Sequence, residues 1–136
     1  MLARAIQSIS DIKFKEINLQ RGQFVFLTRV CENPGINQID LSNLLKVDKA
    51  TTTKAIQKLI DVGYITKVRD EEDKRMWRLY PAEKAKSVYS IIIEAENRNI
   101  AVCFATFAES EKLSVYNLVK RMRQNIEEEW KKLKNF

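Results

Sequence analysis

The chain has 136 residues, one domain's worth, with 24 Lys and Arg against 18 Asp and Glu, a formal net charge of +6 and a pI near 9.4. Hydrophobic residues make up 45% and charged residues 31%, a balance that builds a core and excludes a disordered chain. Histidine is absent, which removes Ser-His-Asp and Cys-His nucleophile activation and most zinc catalysis, and Cys31 and Cys103 form no C-x-x-C clip.

Only three glycines and two prolines interrupt the chain, so a mostly helical fold with short connections is expected. Residues 1–15 alternate apolar and charged positions and lack the apolar core of a signal peptide. The longest near-apolar run, 100–108, falls far short of the ~20 residues of a membrane helix. A cytoplasmic protein with no membrane association is the expectation. The positive balance makes nucleic acid the leading partner class, ahead of an anionic membrane surface.

Leu2, Ala5, Ile6, Ile9 and Ile12 mark one apolar face of a first helix. A second helix is expected over roughly 19–32, with Phe24, Leu27 and Cys31 on its main face, ended by Pro34-Gly35. A short third helix follows over about 38–46, with Asn37 as N-cap and Asp40 at the position of a capping-box acid. Asp48 then caps a fourth helix that runs to about Val62 and stops at Gly63. Thr52, Ala55, Ile56, Leu59 and Ile60 share its buried stripe, while Lys49, Thr53, Lys54, Gln57 and Lys58 project elsewhere.

Between Tyr64 and Tyr80 the apolar period changes from 3.6 to 2. Two strands, 64–69 and 75–80, are joined by the polar turn 70–74. Pro81 opens a long helix over about 82–108, and Ser110 is placed as the cap of a last helix. That helix carries Leu113, Tyr116, Val119, Met122, Ile126, Trp130 and Leu133 at steps of three and four. Its stripe, with those of the first and fifth helices, exceeds what neighbours in one chain can cover, so a two-fold homodimer is expected.

Helix, turn, helix and hairpin in that order is the winged helix-turn-helix arrangement, in which the second helix of the pair enters a DNA major groove. Lys49 and Lys54 can reach guanine O6 and N7 or phosphates, with Lys58 beside them. Gln57 can pair with adenine, and Thr51 and Thr53 offer a hydroxyl and a methyl. Taken singly, such residues are an ordinary solvated face; their place on this helix makes them DNA-binding candidates. On the wing, Asp73 and Arg75 are two apart and share a strand face, so the carboxylate can aim the guanidinium at a minor groove. Arg69, Lys74 and Arg78 are candidates for flanking phosphates. Glu71 and Glu72 read equally well as a solvated turn.

These residues resemble the MarR family of bacterial transcriptional regulators over essentially the whole chain. The resemblance rests on Gln38-Ile39-Asp40-Leu41-Ser42-Asn43-Leu44-Leu45, on Val47-Asp48-Lys49-Ala50-Thr51-Thr52-Thr53-Lys54, on Leu59 and Gly63-Tyr64-Ile65, and on the wing pattern Arg69-x-x-x-Asp73-Lys74-Arg75. It implies a single MarR-like domain over 1–136, mainly α with a small β-hairpin wing. The DNA-binding part would span 19–80, with helical dimerisation parts at 1–18 and 82–136. It implies a homodimer whose wing arginines enter minor grooves, and a small aromatic or phenolic effector that relieves repression. Two positions depart from the family pattern. Lys46 stands in a turn where glycine is common and is expected to carry backbone strain. The wing exits as Leu79-Tyr80-Pro81-Ala82-Glu83 rather than Leu-Thr-x-x-Gly.

The expectation is therefore a double-stranded-DNA operator-binding regulator, a repressor acting on an inverted repeat, with no cofactor, no metal and no catalytic residues. The alternative is a winged-helix protein-interaction module without operator binding. An enzyme is disfavoured, because Glu127-Glu128-Glu129 point in different directions on a helix and form no dyad. Both cysteines lie on apolar helix faces, so buried structural thiols are expected rather than redox sensors.

Overall fold

Stop signals and apolar periodicity produce six helices and one hairpin among residues 1–134, the part of the chain that the computed structural model describes. The elements are α1 (Leu2–Lys13), α2 (Gln23–Glu32), α3 (Gln38–Leu45), α4 (Lys49–Asp61), β1 (Ile65–Arg69), β2 (Trp77–Pro81), α5 (Glu83–Cys103) and α6 (Glu109–Lys134). The chain divides into two compact units, residues 1–99 and 100–136, a division that falls inside α5.

In the first unit, α2 starts later than the expected position 19. Asn18, Arg21 and Gly22 all take positive φ, so the chain turns through 14–22 before it can wind. Asp11 Oδ1 accepts the Arg21 N–H at 2.6 Å and a Gln7 amide hydrogen at 2.8 Å. The Phe14 and Phe24 rings meet at a tilt of 55° with centroids 4.9 Å apart, and the buried Tyr64 donates its hydroxyl to the Ile17 carbonyl at 2.7 Å.

The core gathers Leu27, Val30, Leu41, Ile56, Leu59, Leu79 and Ile92, all without solvent exposure, from α2, α3, α4, β2 and α5. The inward Thr52, expected as core, is buried as well. Asn37 caps α3 as anticipated, accepting the Asp40 N–H at 2.8 Å; the Asp40 carboxylate takes the Asn37 amide at 2.9 Å. Lys46 ends α3 at φ 57 and ψ 42, the left-handed geometry where a glycine would relax. Gly63, at φ 84, ends α4 and turns the chain into the hairpin.

β1 and β2 pair antiparallel, with Lys67 opposite Leu79 and Arg69 opposite Trp77. Gly35 and Ile36 add a short edge beside β2: Gly35 N–H donates to the Leu79 carbonyl at 2.8 Å and Leu79 N–H to the Ile36 carbonyl at 2.9 Å. The wing turn is longer than expected, and the second strand begins at Trp77 rather than at 75. The cause is Asp70, whose Oδ1 accepts the N–H groups of Glu72 and Asp73, both at 2.9 Å, and so holds the chain in a loop.

Residues 104–106 leave the helical path that was expected to run to 108; α5 stops at Cys103, and Phe104 and Phe107 meet edge to face at 5.2 Å. Ser110 is not the cap of α6. The helix already runs from Glu109, and Glu111 reaches back to accept the Ala108 N–H at 2.8 Å, so the N3 acid does the capping. Cys103 is exposed, which corrects the expectation of a buried thiol there: it sits on the last residue of α5, where the helix ends and the chain turns through 104–106. Along α6 no residue is buried.

Candidate nucleic-acid interface

Helix α4 is the second helix of the helix-turn-helix pair, and its own sequence sets which side faces out. Thr52, Ala55, Ile56 and Leu59 are buried, which leaves Lys49, Thr51, Thr53, Lys54 and Gln57 exposed and Lys58 half-buried. The helix start is tightly made. Asp48 accepts the Thr51 N–H at 2.7 Å through Oδ1 and the Thr51 hydroxyl at 2.9 Å through Oδ2. These two bonds hold its carboxyl below the ordinary carboxylate range.

The helix pair is locked from inside. Ser42 Oγ and Thr52 Oγ1 lie 2.7 Å apart, and Thr52 donates onward to the Asp48 carbonyl at 3.1 Å. On the outer side Thr53 Oγ1 sits 2.8 Å from the Lys49 carbonyl and 3.2 Å from Gln38 Oε1. Gln57 Nε2 donates to Asp61 Oδ1 at 2.9 Å.

The wing presents its charges in two ways. Arg75 is outward, its side chain 93% exposed, and Asp73 Oδ1 takes both its N–H at 3.0 Å and its Nε at 3.3 Å. The Asp73–Arg75 coupling anticipated from their spacing is thus present. Lys74 is exposed beside it. Arg78 behaves differently: Nε donates to Asp70 Oδ2 at 2.9 Å and Nη1 to the Gly35 carbonyl at 3.2 Å. These bonds brace the wing against the turn before α3. Asp70, with two backbone N–H bonds and this guanidinium, is pulled down to about 2. Arg69 lies over the Trp77 ring at 4.8 Å and Lys67 over the same ring at 5.0 Å.

Between the start of α3 and the wing runs a cleft of about 750 Å³ lined by Gln38, Ile39, Lys67, Arg75, Met76 and Trp77 among others. Gln38, Lys67 and Trp77 were not expected at this face. The even spacing of Lys67 and Arg69 on β1 signalled the lysine; nothing in sequence spacing ties Gln38 to Thr53, fifteen residues on. A second cleft of about 470 Å³ is lined by Pro34, Tyr80, Pro81 and Tyr89 together with Glu32, Lys86 and the Cys31 thiol. Burial, and to a lesser extent Glu32, pushes that thiol up.

A sequence model described as MarR family matches residues 19–76. Over 98% of its length the chain is 42% identical to YybA of Bacillus subtilis (strain 168), an uncharacterized HTH-type transcriptional regulator, and it covers 89% of that protein. The chain belongs to the MarR family. A MarR protein from Peptoclostridium difficile DA00132 matches 97% of the chain with a TM-score of 0.95 and 58% identity, 86% of that protein being covered. A MarR family regulator from Listeria monocytogenes, solved in complex with 26mer DNA, matches 98% of the chain with a TM-score of 0.92 and 39% identity, covering 89% of its own length. This MarR-family chain is a DNA-binding transcriptional regulator, not an enzyme. Among the described residues, no helix is long and apolar enough to cross a membrane.

Proposed function

We propose that this MarR-family regulator binds an inverted-repeat operator as a homodimer and represses transcription from the cytoplasm until a small molecule releases it. The observation that carries the reading is the convergence, in one unit, of the outward face of α4 with an arginine aimed by Asp73. Lys49, Thr51, Thr53, Lys54 and Gln57 enter a major groove, with Lys58 at its flank, and Arg75 enters the adjoining minor groove. Lys74 and Arg69 meet phosphates. Arg78 acts through the wing's position, as the brace to Asp70 and Gly35.

The dimer is supported by apolar surface that a lone chain leaves in water. On α6, Leu113, Tyr116, Met122, Ile126 and Leu133 are each more than 60% exposed; on α1, Leu2 and Ile12 are 68% and 75% exposed. A second copy is the economical cover, and a two-fold pair would place its recognition helices about 34 Å apart. The second cleft suits an aromatic or phenolic effector, since Tyr80, Tyr89 and two prolines offer flat walls, with the Glu32 carboxylate as an acceptor and Lys86, paired with Glu83, as a cation.

Sedimentation of the full chain with and without duplex, paired with fluorescence anisotropy across a salt series, tests this reading. It predicts a dimer at micromolar concentration and binding that weakens with salt at a log–log slope of about −0.9 per phosphate contacted. A monomer indifferent to duplex at low salt would instead support the protein-interaction module.

A further inference from the structure

Two threonines on the outer face of α4 have spent their one hydroxyl proton inside the protein. Thr51 Oγ1 is 2.9 Å from Asp48 Oδ2, and Thr53 Oγ1 is 2.8 Å from the Lys49 carbonyl oxygen and 3.2 Å from Gln38 Oε1, two acceptors that share its one proton. A carboxylate and a carbonyl only accept, so each hydroxyl must be the donor in its bond, and a hydroxyl has one proton to give. Both residues are exposed. Outwards, therefore, each presents lone pairs and a methyl group but no donor.

The major-groove edges of the bases divide on this property. Adenine N6 and cytosine N4 donate, whereas guanine O6 and N7 and thymine O4 accept. We infer that Thr51 and Thr53 select amino-bearing bases, adenine or cytosine, on the strand they face, and discriminate against the keto groups of guanine and thymine there. The inference rests on the reading that α4 occupies a major groove. It also divides labour along the helix: Lys49 and Lys54, which have only donors, take guanine edges or phosphates, while the threonines take the amino groups.

Turning a hydroxyl round to donate to a keto oxygen would break its bond to Asp48 or to the Lys49 carbonyl, so the keto base gains nothing net. A thymine can still touch the threonine methyl, but valine reproduces that contact and lacks the acceptor. Valine and serine substitutions therefore separate the two contributions: Thr→Val keeps the methyl and deletes the lone pairs, and Thr→Ser does the reverse.

The test is selection of bound sequences from a random duplex pool by the full chain and by its T51V, T51S, T53V and T53S variants. The wild type should enrich two positions in each half-site for adenine or cytosine. T51V should flatten one of them and T53V the other by about three- to tenfold, while both serine variants keep them. Should a valine variant fold poorly by circular dichroism, the same question is put to the wild type from the DNA side. Replacing the selected adenine by purine, or a selected cytosine by pyrimidin-2-one, each of which lacks the amino group, should cost about three- to tenfold in affinity. Valine variants that recover the wild-type motif, a guanine or thymine at the responsive positions, or indifference to that replacement would each overturn the inference alone. A wild-type chain that enriches no sequence would overturn the operator reading as well.

Discussion

Ser42 Oγ and Thr52 Oγ1 meet at 2.7 Å in the seam between α3 and α4, with both residues buried. Each hydroxyl also reaches the first turn of its own helix, Ser42 to the Gln38 carbonyl at 2.9 Å and Thr52 to the Asp48 carbonyl at 3.1 Å. The pair fixes the rotation of α4 against its brace, and with it the direction in which the exposed face points. Thr52→Val removes the bond between the two hydroxyls but leaves Ser42 the Gln38 carbonyl as acceptor, so it should destabilise the fold by about 0.5–1.5 kcal/mol in urea unfolding. The double variant S42A/T52V should cost less than the sum of S42A and T52V measured singly, because the two share one bond. A cost equal to that sum would mean the pair has no coupling.

Arg75 is positioned without being buried, so its removal should act on binding and spare the fold. Arg75→Ala should weaken operator affinity by about 1–3 kcal/mol in anisotropy titrations, with unchanged sedimentation. Arg78→Ala should weaken binding in a different way. The wing loses its tie to the Gly35 carbonyl, so amide exchange in residues 70–76 should quicken, which Arg75→Ala would leave unaltered.

Acid should find the wing early. Asp70 is held at about 2 against an ordinary 3.8, so its contribution to stability is full above pH 4 and is lost as pH falls towards 2. Asp70→Asn should flatten the fall of the melting temperature between pH 4 and 2. An equally steep fall in the variant would assign the acid sensitivity to other carboxylates.

Lys46 holds a left-handed conformation at φ 57. Lys46→Gly should raise stability by up to about 1 kcal/mol in urea unfolding, since glycine takes that backbone without its Cβ crowding the following carbonyl. The side chain's bond to the Asn43 carbonyl, at 2.9 Å, offsets some of the gain.

The apolar row on α6 offers the sharpest check on assembly. Met122, 68% exposed in the single chain, replaced by Glu should shift sedimentation towards the protomer and weaken operator binding together. A dimer that survives the charge would show that this row is not its seam.

Much of this was legible beforehand because local rules decided it. The caps at Asn37 and Asp48, the stop at Gly63 and the inward phase of Thr52 follow from spacing and side-chain chemistry alone. What escaped depended on contacts across the fold or on backbone choices without a residue signature. Arg21 adopts positive φ although it is not glycine, and so α2 starts late. Arg78 looks like any wing cation until Asp70 and the Gly35 carbonyl, 43 residues away, are seen beside it. Ser110 was the better cap by residue type, but Glu111 reaching back to Ala108 took that role.

The stitching of the wing tip has a consequence for the kinetics of recognition. Glu72 and Asp73 amides on Asp70, and Arg78 on both Asp70 and Gly35, freeze the loop when the chain folds. The conformational entropy of that loop is therefore surrendered before any duplex arrives, and the exposed Lys74 and Arg75 side chains remain to be ordered on docking. Encounters should convert to bound complexes with little delay, and differences between operators should show up chiefly as differences in residence time.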